Sequence, residues 1–244
     1  QPVPRNLPQL VAGTTVRQIG RRGKYLLIDC GAGHLIVHLG MSGSLRLVDP
    51  RTPPGKHDHV DLAFAGGTNR AGRRRLLRLR DPRRFGAVLW TEAPLDAHPL
   101  LRDLGIEPLS RAFDARRLHV LTRLRRTSIK QFLMDARRIV GVGNIYASES
   151  LFLAGIRPQT AARRLSPVRC ARLAAAIRQT LRAAIRAGGS SLRDYVGGEG
   201  ELGCFQMRHW VYDRAGEPCR RCGALVRRLV QGQRATYYCP RCQR

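Results

Sequence analysis

Four cysteines near the C-terminus, Cys219, Cys222, Cys239 and Cys242, are spaced C-x2-C-x16-C-x2-C. Each C-x-x-C pair brings two thiolates together across one tight turn, and two such pairs fill the corners of a tetrahedron. A site closed by four protein sulfurs leaves no position for substrate. The expected chemistry is therefore one structural Zn2+ and no catalytic metal. A redox dithiol needs a single pair inside a βαβ unit, which is not the setting here. A segment of fewer than about 30 residues has too little core to fold alone, so the metal supplies its folding energy. Arg220, Arg221, Arg227, Arg228, Arg234 and Arg241 crowd the ligands. A hairpin so loaded suits phosphate, although the same arginines also read as a solvated face. Arg234, within Gln233-Arg234-Ala235-Thr236, is placed at the hairpin tip.

A second string, Val140-Gly141-Val142-Gly143-Asn144-Ile145-Tyr146, leads into a helix. Its glycines allow close backbone approach to a ligand, and the helix start offers N–H groups and a positive dipole end to a phosphate. Asn144 either caps that helix or meets the phosphate. The string lacks the further glycine and lysine of nucleotide loops, which excludes an ATP site. By spacing alone it reads first as an ordinary helix–helix turn.

The elements that must carry these groups follow from periodicity. Residues 1–100 are β-rich: Tyr25–Ile28 and Leu35–Leu39 flank Gly31 and Gly33 as a hairpin, and Val60, Leu62 and Phe64 alternate at period two. Leu77 and Leu79 alternate with arginines, and Gly66, Gly67 and Gly72 bracket a turn-rich tip. Residues 113–189 are helical, with helices expected over Ala115–Leu124, Ile129–Met134 and Ile145–Ala154. A fourth starts at Ser166-Pro167, carries Leu173, Ile177, Leu181 and Ile185 on one face, and stops at Gly188-Gly189. Residues 190–216 are irregular and glycine-rich. Boundaries fall near 108–112 and 215.

Composition sets the partner class. The 244 residues carry 44 Lys+Arg against 17 Asp+Glu, a formal net charge of +27, with 43% hydrophobic residues. Such a chain can bury a core, and its field attracts polyanions, nucleic acid first. Only Lys24, Lys56 and Lys130 are lysines. That skew fits a GC-rich genome, yet codon bias chooses arginine over lysine without creating net charge. No stretch approaches the roughly 20 apolar residues of a membrane span, and no secretory signal opens the chain. Cys30, Cys170 and Cys204 are scattered, so a reducing cytoplasm is expected and a disulfide framework is not.

In order, Arg22-Gly23-Lys24-Tyr25-Leu26-Leu27, His38 through Leu45, Lys56-His57-Asp58-His59-Val60-Asp61, Asp81-Pro82-Arg83-Arg84-Phe85-Gly86, Val140 through Ser150 and Gln233 through Cys242 resemble the bacterial formamidopyrimidine-DNA glycosylase family. The set spans nearly the whole chain. The endonuclease VIII branch shares the architecture, but Met41, the Arg83/Phe85 pair and the Gln-Arg-Ala-Thr hairpin look more like the formamidopyrimidine branch. The resemblance implies an α+β, multi-domain fold. A β-sandwich lobe, incomplete at its start, covers residues 1–108. A helix–two-turn–helix DNA-binding domain with a lesion-recognition loop covers 113–215, and a zinc finger covers 216–244. It further implies a monomeric, cytoplasmic, nucleoid-associated base-excision repair enzyme. Such an enzyme flips oxidised purines (8-oxoguanine, formamidopyrimidines) out of duplex DNA, excises them and nicks the strand by β,δ-elimination. Abasic sites are processed by the same lyase activity.

The roles carry over residue by residue. Met41 and Phe85 resemble the apolar wedge that fills the stack, and Arg83 resembles the residue that enters with them and faces the orphaned base. His57, Arg83, Arg125, Lys130 and Asn144 match the DNA-contacting set. Lys24 resembles the lysine near the lesion sugar assigned to proton transfer. Arg234 resembles the arginine of the second elimination step, and a group that stays protonated acts there as an electrostatic clamp. Without the resemblance, Met41 and Phe85 read as core, Arg83 as a surface ion pair, His57 as a structural histidine and Lys24 as a solvated charge. The family opens on a Pro-Glu pair, nucleophile and general acid, whereas this sequence opens on Gln1 and aligns from about thirty residues into the pattern. The expectation is an enzyme whose N-terminal segment is missing from this sequence, with a non-catalytic damaged-DNA-binding protein and an endonuclease VIII-like glycosylase for oxidised pyrimidines as alternatives. Lesion choice is assigned to residues 190–212.

Overall fold

The computed structural model describes residues 3–68, 74–189 and 209–244. Contacts divide the chain into two compact units, one built on Gln1–Arg102 and the other on Asp103–Arg186 and Met207–Arg244.

In the first unit a one-turn helix, α1 (Leu7–Val11), precedes seven strands: β1 (Gln18–Arg22), β2 (Tyr25–Asp29), β3 (His34–His38), β4 (Ser44–Val48), β5 (Asp58–Thr68), β6 (Arg74–Arg80) and β7 (Ala87–Thr91). They form two antiparallel sheets, in the orders β1-β2-β3-β7 and β4-β6-β5. The expected hairpin is β2–β3, with Leu26 opposite Val37 and Ile28 opposite Leu35. Ile28, Leu35, Val37 and Val88 from the first sheet bury against Leu79, Leu45, Val60 and Leu62 from the second. Alternation at period two sends these residues to the inner faces, so the core is the filling of a β-sandwich. One expectation changes. β5 runs through Gly66 and Gly67 to Thr68, with a register shift between Ala63 and Thr68. Glycines within a strand mark such an irregularity as readily as a turn. Gly72 lies outside the described residues.

The second unit holds α2 (Ala115–Thr122), α3 (Ile129–Met134), α4 (Asn144–Leu153), α5 (Pro167–Arg186) and the hairpin β8 (Arg227–Gln231)–β9 (Arg234–Tyr238). Asp114 caps α2 by accepting from Arg117 N–H, and Ser128 caps α3 by accepting from Gln131 N–H. Leu118, Phe132, Leu133, Leu151, Leu173 and Ile177 share one core. On α5 the expected apolar series holds only in part. Leu173 and Ile177 are buried, but Ile185 is exposed. A strict four-residue repeat drifts by about 40° per step around a 3.6-residue helix, so the third step leaves the core face. A further cluster packs Phe152 of α4 against Val211, Val226, Tyr237 and Cys239. The zinc hairpin therefore leans on α4.

Candidate nucleic-acid interface and zinc centre

The four sulfurs of Cys219, Cys222, Cys239 and Cys242 all lie within 4.8 Å of one another. Cys222 and Cys239 are 3.5 Å apart and Cys219 and Cys242 4.0 Å. A tetrahedron with Zn–S bonds of about 2.3 Å has edges of roughly 3.8 Å, so the donors fit zinc without rearrangement. Burial pushes the Cys242 thiol up to about 12. A metal ion at this site would deprotonate the thiols that coordinate it. The site holds one structural zinc.

Between β8 and β9, Gly232 (φ 54°) and Gln233 (φ 60°) make a two-residue turn with both residues left-handed, as a hairpin of this twist requires. Arg234 is the first residue of β9, opposite Gln231, with its side chain exposed. It sits one step past the turn the sequence placed it on.

Lys130, Asn144 and the strand bearing Arg234 come together. The Lys130 Nζ donates to Asn144 Oδ1 (2.5 Å), Thr236 Oγ1 (2.7 Å) and Ala235 O (3.2 Å). Asn144 Nδ2 donates to Ala235 O at 3.0 Å and to Tyr212 Oη at 3.4 Å. Lys130 was expected on DNA, but it is 0% exposed and all three of its protons are taken. It is a strut between the start of α4 and the zinc hairpin. Asn144 opens α4 rather than capping it; Gly143 is the N-cap. Burial, and then the charge of Arg234, hold the Lys130 ammonium down at about 8. Between about 8 and its ordinary 10.5 the unfolded chain binds this proton more tightly than the folded one, so stability rises with pH through that window. Lys130→Met is expected to lose about 2–3 kcal/mol at pH 7, because buried acceptors lose a charged donor. It should also lose that rise. Urea melts at pH 7, 8, 9 and 10 check both effects; a rise equal to the parent's would refute the assignment.

The loop that carries Met41 abuts the loop that carries Arg83 and Phe85, in the first unit. Met41 is 66% exposed and Phe85 55%. The Arg83 guanidinium lies over the Phe85 ring, 4.8 Å from its centroid. Gly40 (φ 64°) lets the two loops touch: a Cβ there would lie 2.5 Å from the Phe85 carbonyl carbon. The core reading of Met41 and Phe85 fails on exposure, because large apolar side chains are held in solvent on constrained backbone. Lys24 is exposed in the two-residue β1–β2 turn, beside Gly23 (φ 59°). Its charge, after burial, lowers the pKa of His38. His57 is half-buried, and its carbonyl accepts from Asp81 N–H at 2.9 Å. Arg125 is exposed in the turn after α2, where its carbonyl accepts from Arg163 N–H at 2.9 Å.

Three family models match the chain in sequence order. They are the formamidopyrimidine-DNA glycosylase N-terminal domain over residues 1–88, its H2TH domain over 104–196, and the zinc finger found in FPG and IleRS over 216–244. The formamidopyrimidine-DNA glycosylase of Thiobacillus denitrificans is 61% identical over 244 residues, covering 100% of this chain and 87% of that protein. The chain belongs to the formamidopyrimidine-DNA glycosylase family. The Bordetella pertussis member is 59% identical, over 100% of this chain and 87% of its own length. Among solved structures, the MutM (Fpg) protein of Thermus thermophilus superposes with a TM-score of 0.86 at 40% identity, covering 98% of this chain and 86% of that one. A Lactococcus lactis Fpg mutant in complex with Fapy-dG-containing DNA gives 0.85 at 34% identity, with the same shares covered.

Within this formamidopyrimidine-DNA glycosylase framework, two buried acids escaped the sequence reading. Glu149 on α4 is 1% exposed and accepts backbone N–H bonds from Trp210 (2.8 Å), Val211 (3.0 Å) and Tyr212 (2.9 Å). Asp81 accepts from Ser42 Oγ and Gly86 N–H. The lone acid within the otherwise uncharged stretch Ile145–Leu153 is the sequence signal for Glu149; Asp81 opens the string Asp81-Pro82-Arg83-Arg84-Phe85-Gly86, where the resemblance carries no role over to it. Of the segment 190–212 assigned to lesion choice, residues 190–208 lie outside the described residues.

Proposed function

We propose that this glycosylase acts as a monomer on duplex DNA in the bacterial cytoplasm, on the nucleoid. It flips oxidised purines, 8-oxoguanine and formamidopyrimidines, out of the helix, excises them and nicks the strand by β,δ-elimination. The observation that carries the reading is the exposed trio Met41, Arg83 and Phe85 on two abutting loops. Unstacking a base costs a few kcal/mol, which an apolar filler offsets. The Arg83 fork then offers its donors to the orphaned partner base. The solved relatives bound to Fapy-dG DNA and to abasic-site DNA support this substrate class.

In this reading His57, Arg125 and the N-terminus of α4 at Asn144 hold phosphates around the lesion, the last through backbone N–H groups, with the Asn144 side chain braced from behind by Lys130. Lys24 serves proton transfer at the lesion sugar. Arg234 clamps the phosphate that leaves in the second elimination, where a fixed positive charge lowers the cost of the developing anion. Residues 1–108, 113–215 and 216–244 form the three functional parts. The protein purified from the cells that make it is expected to release 8-oxoguanine opposite cytosine and leave a one-nucleotide gap. Arg234→Ala should stall with the β-elimination product at roughly 100-fold slower second elimination, the scale of one lost electrostatic donor. Denaturing gels of end-labelled strands separate the two products. An undiminished gap product in the variant would remove Arg234 from this step.

A further inference from the structure

Asp81 follows β6 and is 2% exposed, yet it is bonded on every side to segments that carry proposed DNA contacts. Its Oδ1 accepts from Ser42 Oγ–H at 2.9 Å, and Ser42 follows Met41. Its Oδ2 accepts from Gly86 N–H at 2.7 Å, and Gly86 follows Phe85. Its own N–H donates to the carbonyl of His57 at 2.9 Å. Its carbonyl meets His59 Nε2 at 3.0 Å; a carbonyl only accepts, so His59 carries its proton on that nitrogen. Each carboxylate oxygen holds one loop, and at 2% exposure the side chain is out of reach of a substrate.

We infer that Asp81 is a positioning residue that ties the loop of residues 40–43 to the loop of residues 82–86, so that Met41, Arg83 and Phe85 enter the DNA stack as one rigid wedge. The inference rests on the reading of those three residues proposed above. Bonds to an ionised acceptor are about twice as strong as neutral ones, and here two of them converge on one buried carboxylate. Packing reinforces them. A Cβ on Gly86 would lie 2.9 Å from His38 O and 3.0 Å from Asp81 Oδ2. A wedge already rigid before the base leaves spends no ordering entropy during flipping, so it speeds the opening step itself.

The test follows that step in the zinc-loaded chain by stopped-flow fluorescence, with 2-aminopurine placed beside 8-oxoguanine in a duplex. Asp81→Asn keeps the shape but turns an amide toward one of the two donors, and should slow opening by roughly tenfold or more, the scale of one bond to a charged group. Ser42→Ala removes a single hydroxyl from the surroundings of Asp81; it should slow opening by roughly tenfold, the low end for one bond to a charged group. The decisive measurement is a double-mutant cycle. In a Met41→Ala background Ser42→Ala should change the rate by less than about 1.5-fold, because its effect passes through Met41. The full factor in both backgrounds would show a merely structural role and overturn the inference. If Met41→Ala and Phe85→Ala themselves leave opening unchanged, the wedge reading fails, and this inference with it.

Discussion

Chelating the zinc, or replacing Cys239 by serine, is expected to unfold residues 209–244 and to weaken binding to duplex DNA by about 100-fold or more, since several phosphate-directed groups are lost together. The finger has only a small core, and its metal ligands are part of it. Val211, Cys219, Val226, Tyr237 and Cys239 make one small cluster with Phe152 of α4, fringed by partly buried side chains such as Trp210 and Tyr212. Structural zinc contributes about 10–16 kcal/mol in isolated finger peptides, far more than these contacts supply. Losing the metal releases the turn before Arg234 and also removes Ala235 O and Thr236 Oγ1 from Lys130. An ammonium buried with only Asn144 left as acceptor is costly, so the damage should reach the start of α4 and its phosphate contact. Metal analysis, circular dichroism and fluorescence anisotropy on the same sample check this. Verified metal loss with unchanged affinity would refute any role of the finger in DNA binding.

What the sequence disclosed and what it hid divide by contact range. The limits of α3, Ile129–Met134, were legible because a local cap, Ser128, and a local apolar run set them. The cysteine ligands were legible because short knuckles fix their geometry. Lys130 looked like any helical lysine; its acceptors lie 14, 105 and 106 residues further along the chain, and nothing local announces them. Ser42 and Asp81 are 39 residues apart, so a motif string could contain Asp81 without showing what it holds. Ile185 failed for a different reason: a repeat of four was read as a helix face when the helix repeats at 3.6. Met41 and Phe85 were ambiguous by type, and only exposure separates a wedge from a core residue.

Glu149→Ala should cost on the order of 4 kcal/mol, because three N–H groups, that of Val211 buried and those of Trp210 and Tyr212 partly so, lose the acceptor they share. Burial pushes the Glu149 carboxyl above the ordinary glutamate range, and the bonds from Trp210, Tyr212 and Val211 pull against that. The group therefore tolerates the interior only because the three amides converge on it. They seat the segment that precedes the finger against α4: Trp210 stacks on Phe152 at 5.4 Å, Arg221 lies over Phe152 at 4.8 Å, and Tyr212 Oη accepts from Asn144 Nδ2. Glu149→Gln separates charge from shape. Its oxygen can still serve Val211 and Tyr212, while its amide meets the Trp210 N–H donor to donor, so about 1–3 kcal/mol should be lost and one amide freed. Hydrogen exchange resolves the pattern: all three amides should lose protection in Glu149→Ala, and Trp210 alone in Glu149→Gln. Equal loss in both variants would mean that the charge, and not the acceptor geometry, holds this segment. Intact protection in Glu149→Ala would mean that the aromatic stack seats it without the carboxylate.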